Sequence, residues 1–271
     1  MKKPHDSPLG KSTAYPDRYD PSLLFSIDRR EAREGLGLSG SLPFSGVDIW
    51  TAHELAWLDH DGRPQVAIGE FRIDARSASL VESKSLKLYL GSFAQERVGT
   101  AEELSAIIAA DLSRSCAVAV DVALLRLDEA RQVAELPAES IDALDATIDH
   151  YLPDASLLKI GKERVEEALR TSLFRSNCPV TGQPDYADLM VRYRGRRIDR
   201  SSMLSYLVSY RQHAAFHEAC VERIFLDIAA RCRPEGLTVY ARFLRRGGID
   251  INPFRSNFEA APRSSARTPR Q

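Results

Sequence analysis

The sequence predicts an α+β fold of two tandem β-β-α-α-β-β units, each an antiparallel sheet with helices laid on one face. Three observations carry this. The 271 residues suffice for two modest domains, each with its own core. Runs with strand character and runs with helix character alternate in blocks. The order of those blocks in the first half returns in the second, as a repeat of pattern rather than of residues.

The elements follow in chain order. Residues 1–46 are rich in Pro, Gly, Ser and Asp without a sustained period and read as an irregular arm. Within it "GKST" (Gly10 to Thr13) looks like the end of a phosphate loop. The position five before Gly10 is His5 rather than glycine, and no apolar strand leads in, so the motif fails. From Val47, "VDIWTAHELAWL", the turn "DHDGRP" and "QVAIGEFRI" form a hairpin. "SKSLKLYLGSFAQ" and "TAEELSAIIAADLSR" are helices, the second opened by a capping box of Thr100 and Glu103. "AVAVDVALLRL" (Ala117 to Leu127) returns to strand, and an acidic stretch from Asp128 to about Lys162 separates the halves.

In the second half "RVEEALRTSLFRSNC" has helical propensity, yet its place in the repeated order makes it a strand. "ADLMVRYRG" pairs with it, Ser201 to Arg231 is one long helical region, and "LTVYARFLRRGG" closes as a strand.

Composition excludes several classes. The 37 Lys plus Arg nearly cancel the 38 Asp plus Glu, so no global field draws in nucleic acid or a membrane surface. The opening "MKKPHDSPLG" lacks the apolar run of a secretory signal, and no stretch reaches the ~18 apolar residues of a span. Cys116, Cys178, Cys220 and Cys232 are scattered without a CxxC pair. That reads as reduced cytoplasmic thiols and offers no zinc spacing.

Four stretches can carry chemistry. In "SNCPVTGQPD" Pro179 ends the strand after Cys178, and the turn can return Asp185 to the thiol. Cys178 is either a small buried hydrophobe or a nucleophile. An ionised Asp185 would raise the thiol's pKa, so in the second case it takes the thiol proton and passes it on. In "HAAFHEAC" His213 and His217 are four apart on the expected helix, but Glu218 follows the second histidine, so the H-E-x-x-H zinc order is absent. This is a polar helix stripe, or a pocket edge where the Glu218 carboxylate takes two hydrogen bonds from a guanine-like edge. "VESKSLKLYL" sets Glu82 to Lys84 at a strand-to-helix junction, an ordinary solvated start with Ser as N-cap or an anion site on backbone N–H groups. "RFLRRGGID" is a basic turn that a phosphate can approach closely.

Taken together, "ESKSLKLYL", "SNCPVTGQPD", "FHEACVERIF" and "VYARFLRRGGIDINPFRSN" resemble, in this order, the NADPH-dependent 7-cyano-7-deazaguanine reductases, nitrile reductases of queuosine biosynthesis. The likeness runs from about Gly10 to Asn257, and the length is similar to the bimodular branch. It implies two tunnelling-fold units, here 47–150 with the "ESKS" motif and 151–258 with the nucleophile, after an arm over 1–46 and before a tail over 259–271. It implies Cys178 as the residue that forms a covalent thioimide and Asp185 as the proton donor. Substrate contacts fall on Val81, Glu82, Ser83, His217 and Glu218, and NADPH contacts on Ser83, Lys84, Arg246 and Gly247. No metal is implied. A cytoplasmic homodimer is, with 7-cyano-7-deazaguanine as small-molecule substrate and no direct nucleic-acid partner. A cyclohydrolase-type enzyme of the same fold would want a zinc-binding Cys-His set, and a purine-binding module would not need Cys178 with Asp185.

Overall fold

The computed structural model describes residues 6–8, 15–129, 133–264 and 266–271. The "GKST" stretch lies outside them. The class is α+β, and the chain divides into two compact units. The first comprises Met1–Ser39, Asp48–Ala130 and Arg245–Ile251; the second comprises Gly40–Val47, Arg131–Leu244 and Asn252–Gln271.

In the first unit β1 (Ser26–Asp28) and α1 (Arg30–Gly35) fold part of the arm, which the sequence left irregular. β1 pairs antiparallel with β4 (Ser79–Val81). The predicted hairpin is β2 (Ser45–Leu58) and β3 (Pro64–Asp74). Its turn is tied by the Asp59 carboxylate, which accepts from the N–H groups of Asp61 and Arg63 and from Gln65. α2 (Ser83–Gly91) and α3 (Ala101–Cys116) follow, then β5 (Val120–Leu125), antiparallel to β3 with Phe71 opposite Val122. Alternation along β2 and β3 sends Trp50, Leu55, Phe71 and Ile73 inward, where they meet Leu86 and Tyr89 of α2 and Leu104, Ile108 and Leu112 of α3. The four-residue spacing on α3 gives one apolar stripe, and each fully buried Leu or Ile on it contributes about 1.5–3 kcal/mol.

In the second unit β6 (Glu139–Ser140) runs parallel to β7 (Ile160–Asn177), which pairs antiparallel with β8 (Pro184–Ile198). β7 is a strand despite its helical propensity: Leu169 and Thr171, and after a bulge Phe174 and Ser176, alternate inward and are buried against the unit's interior. The long helical region divides into α4 (Arg200–Val208), a 3-10 turn (Ser209–Gln212) and α5 (His217–Cys232). β9 (Gly236–Phe243) pairs antiparallel with β8, and β10 (Ile249–Ser256), absent from the sequence reading, pairs with β9. No described helix is long and apolar enough to cross a membrane.

Candidate active site

β7 ends at Asn177 because Pro179 has no N–H for the ladder. The chain then reverses over Cys178 to Gln183. Cys178 N–H donates to Gln183 O at 2.9 Å and Gly182 N–H donates to Cys178 O at 3.0 Å. Gly182 has φ +68, a conformation that glycine adopts without penalty. The register then sets Ser176 opposite Asp185 and Asn177 opposite Pro184. Alternation puts Ser176 and Cys178 on one face of the hairpin end with Asp185, and all three are buried. Burial of the thiol is what the hydrophobe reading calls for; the turn adds what the nucleophile reading calls for, a carboxylate held on the neighbouring strand.

α5 brings in the other pair. His217 opens the helix, and its Nε2 lies 3.4 Å from Asp185 Oδ2, long for a hydrogen bond and within range of an ion pair. Its ring packs on Phe243 of β9 with centroids 3.9 Å apart, which fixes its plane. Glu218, also in the first turn, is only 3% exposed. Behind them Cys220 is fully buried. Burial pushes its thiol up to about 12; the Ser176 hydroxyl opposes this, the charges of Asp185 and Glu218 add to it, and Arg223 lowers it least. Cys220 therefore stays a protonated neighbour.

His213 is a correction. It does not share a helix with His217, because residues 213–216 form a connection that pairs with the end of β7: Asn177 N–H donates to His213 O and Ala215 N–H to Asn177 O. Burial, with the positive charge of Arg223, lowers its pKa to about 4, so His213 is neutral near pH 7. Among the described residues no group of three or more His, Cys, Asp or Glu side chains is arranged to hold a metal.

The first unit holds the remaining candidates. Val81 is fully buried, so any contact from that position goes through its main chain. The helix start of α2 also requires a correction. Its N-cap is Glu82, not a serine, and the Glu82 carboxylate accepts from Lys84 N at 2.6 Å and Ser85 N at 2.8 Å. Those N–H groups are thus already satisfied by an internal anion, to which the Ser83 hydroxyl also donates at 3.3 Å, so positive charge at the junction comes from the Lys84 side chain.

Arg246 and Gly247 lie in a tight turn. Arg246 N–H donates to Ile249 O at 2.8 Å and Ile249 N–H returns to Arg246 O at 3.3 Å. Gly247 and Gly248 have φ +61 and +85, two successive positive values that suit glycine in a two-residue hairpin. The turn is anchored from below: His53 N–H donates to Gly248 O, and the buried His53 Nε2 lies 2.7 Å from Asp250 Oδ2. A Cβ on Gly247 would stand 3.1 Å from Lys87 Nζ. Lys87 is one helical turn beyond Lys84, so α2 and the glycine turn together concentrate Lys84, Lys87, Arg245 and Arg246. The sequence reading missed Lys87, which the i, i+3 spacing from Lys84 could have found, and it missed the His53–Asp250 pair, which no local signal announces.

Comparison with known proteins adds a separate line of evidence. The family model described as nitrile reductase, 7-cyano-7-deazaguanine-reductase N-term, matches residues 15–124, and one described as QueF-like protein matches residues 184–262. Proteins named NADPH-dependent 7-cyano-7-deazaguanine reductase are similar over nearly the whole length. The one from Bordetella pertussis is 53% identical over 98% of both chains, and that from Bordetella avium is 51% identical over the same share. The one from Chromobacterium violaceum is 50% identical over 99% of this chain and 98% of its own.

Proposed function

The chain belongs to the NADPH-dependent 7-cyano-7-deazaguanine reductase family, and from that premise we propose that it reduces the nitrile of 7-cyano-7-deazaguanine to the primary amine of 7-aminomethyl-7-deazaguanine, a step of queuosine biosynthesis. The observation that carries the reading into chemistry is the hairpin end, where a buried thiol and a buried carboxylate leave one tight turn on adjacent strands.

Cys178 Sγ adds to the nitrile carbon. Its proton goes to Asp185, which delivers it to the nitrile nitrogen, so C≡N becomes a thioimide, S–C=N–H. This matters because a nitrile carbon accepts hydride poorly until its nitrogen is protonated. NADPH, when bound, supplies hydride, and reaching the amine takes two such transfers from two molecules. Cys178 must leave between them, releasing an imine that has to be kept from water; the burial of Asp185 and Glu218 supports that. His217 is in place to exchange a proton with Asp185, and Glu218 to take the N–H edge of the base.

The first-unit cluster fits a polyanionic cofactor. The absence of a Cβ at Gly247 lets a phosphate approach the turn, with Lys84 and Arg246 supplying charge and Ser83 a hydroxyl. We place the reaction in the cytoplasm, without a nucleic-acid partner, and take a homodimer as the working form, as the family resemblance implies; sedimentation of the purified protein tests the latter.

The deciding experiment mixes protein with the nitrile in the absence of NADPH and reads intact mass. One nitrile should add to the wild type and none to Cys178→Ala. An adduct that survives in that variant, or a wild type that forms none, overturns the reading. With NADPH present, two should be oxidised per amine formed.

A further inference from the structure

Ser176 is a buried hydroxyl that the mechanism above leaves unused. Other buried serines in the helices place theirs on helix carbonyls: Ser85 on Glu82 O, Ser92 on Tyr89 O, Ser202 on Asp199 O and Ser209 on Tyr206 O. Ser176 Oγ has no hydrogen-bond geometry to any nitrogen or oxygen, although the residue is 0% exposed. The polar group it does influence is the Cys220 thiol, a weak acceptor that itself leans toward Ala215 O at 3.9 Å. A buried hydroxyl so poorly partnered works against folding, since nearly all such groups in proteins are paired. Its position offers a reason to keep it. Ser176 is the direct cross-strand partner of Asp185, and such pairs stand with their Cβ atoms roughly 4.5–5.5 Å apart on one face. Rotation about its Cα–Cβ bond sweeps the hydroxyl toward the carboxylate, and catalytic hydrogen bonds commonly close only once substrate is bound.

We propose that Ser176 is a positioning residue for Asp185, donating a hydrogen bond that orients the carboxylate and holds its charge while the Cys178 proton passes to the nitrile nitrogen. The role rests on the proposed function. Other groups bear on the same carboxylate. From α5 there is His217, with Nε2 3.4 Å from its Oδ2, and behind it the Cys220 thiol, which feels the charges of Asp185, Glu218 and Arg223; from the β7 end Cys178 shares its face of the hairpin, and Phe243 of β9 packs on the His217 ring.

The test compares wild type, Ser176→Ala and Ser176→Thr in the full-length protein, reading melting temperature and the rate of Cys178 adduct formation against pH. Ser176→Ala should melt at the wild-type temperature or above, because it removes a poorly partnered group. It should slow adduct formation by about tenfold or more while nitrile affinity stays within about twofold. Losing a donor to the carboxylate raises the pKa of Asp185, so the acid limb of the rate profile should move to higher pH. Ser176→Thr keeps the hydroxyl and should restore both rate and limb. A Ser176→Ala protein that loses stability and rate together with its acid limb unmoved assigns a packing role and overturns the proposal. So does one matching the wild type in rate and profile. A wild type that forms no adduct removes the proposed function and this role with it.

Discussion

α3 of the first unit and α5 of the second begin differently although they end alike. Each has 16 residues, terminates on a buried cysteine, Cys116 or Cys232, and exits through a left-handed residue, Ala117 or Arg233. α3 opens on the full capping box of Thr100 and Glu103, whereas Phe216 caps α5 with no side-chain hydrogen bond. The hairpins diverge in the same way. The β2–β3 turn is exposed and its Asp59 carboxylate serves only that turn, with the backbone N–H of Arg63 the main cause of its lowered pKa. The β7–β8 turn buries Cys178 and sends Asp185 inward. In the first unit these polar groups satisfy local backbone. At the matching places in the second, the turn closes on its own backbone hydrogen bonds, while the Asp185 carboxylate and the Glu218 carboxylate at the helix start are buried instead of capping a turn or a helix. Where a repeated element loses its side-chain cap and turns its carboxylate inward, the residues there are kept for another purpose.

Three substitutions sharpen that contrast, the largest first. Asp185→Asn keeps the shape of the β7–β8 turn but can neither take the Cys178 proton nor deliver it, and should slow adduct formation by about 100-fold or more while nitrile binding persists; stopped-flow with the nitrile measures both. Near-normal chemistry would reduce the second hairpin to the structural status of the first. Glu218→Gln removes one negative charge from a 3% exposed position and should weaken nitrile binding by about tenfold or more in calorimetry. Unchanged affinity would make the open start of α5 an ordinary helix end. Gly247→Ala forces an alanine to φ +61 and pushes on Lys87, and should raise the KM for NADPH by about fivefold with nitrile affinity untouched.

How much of this the sequence disclosed follows the same division. The Thr100 box and the β2–β3 hairpin were legible because they are closed within a few residues. β7 was legible only through the repeated order, since its own Glu, Ala and Arg favour helix. β10 was missed because Pro253 and the polar Asp250, Asn252 and Arg255 read against a strand, yet every one of its residues is buried. The start of α5 was missed for a tertiary reason: residues 213–216 are pulled out of helix by hydrogen bonds to Asn177, 34 or more residues away in sequence. Cys178 and Asp185 were visible as a motif. That Ser176 faces Asp185 follows from a register that only the folded hairpin fixes.

The smallest expected effect tests the structural side of the comparison. Thr100→Ala removes the acceptor for Glu103 N–H, a bond of 3.2 Å, and leaves the Glu103 carboxylate on Thr100 N–H at 2.8 Å. Half the box remains, so the loss should be about 1 kcal/mol of stability, a fall of a few degrees in melting temperature. Because α3 contributes no residue to the proposed chemistry, adduct formation and NADPH oxidation should stay at wild-type rates below the melting transition. If turnover falls in step with the cap, α3 is coupled to catalysis and the division between a capped structural helix and an uncapped functional one does not hold. If only stability moves, the two helices have parted in role while keeping one length and one kind of exit.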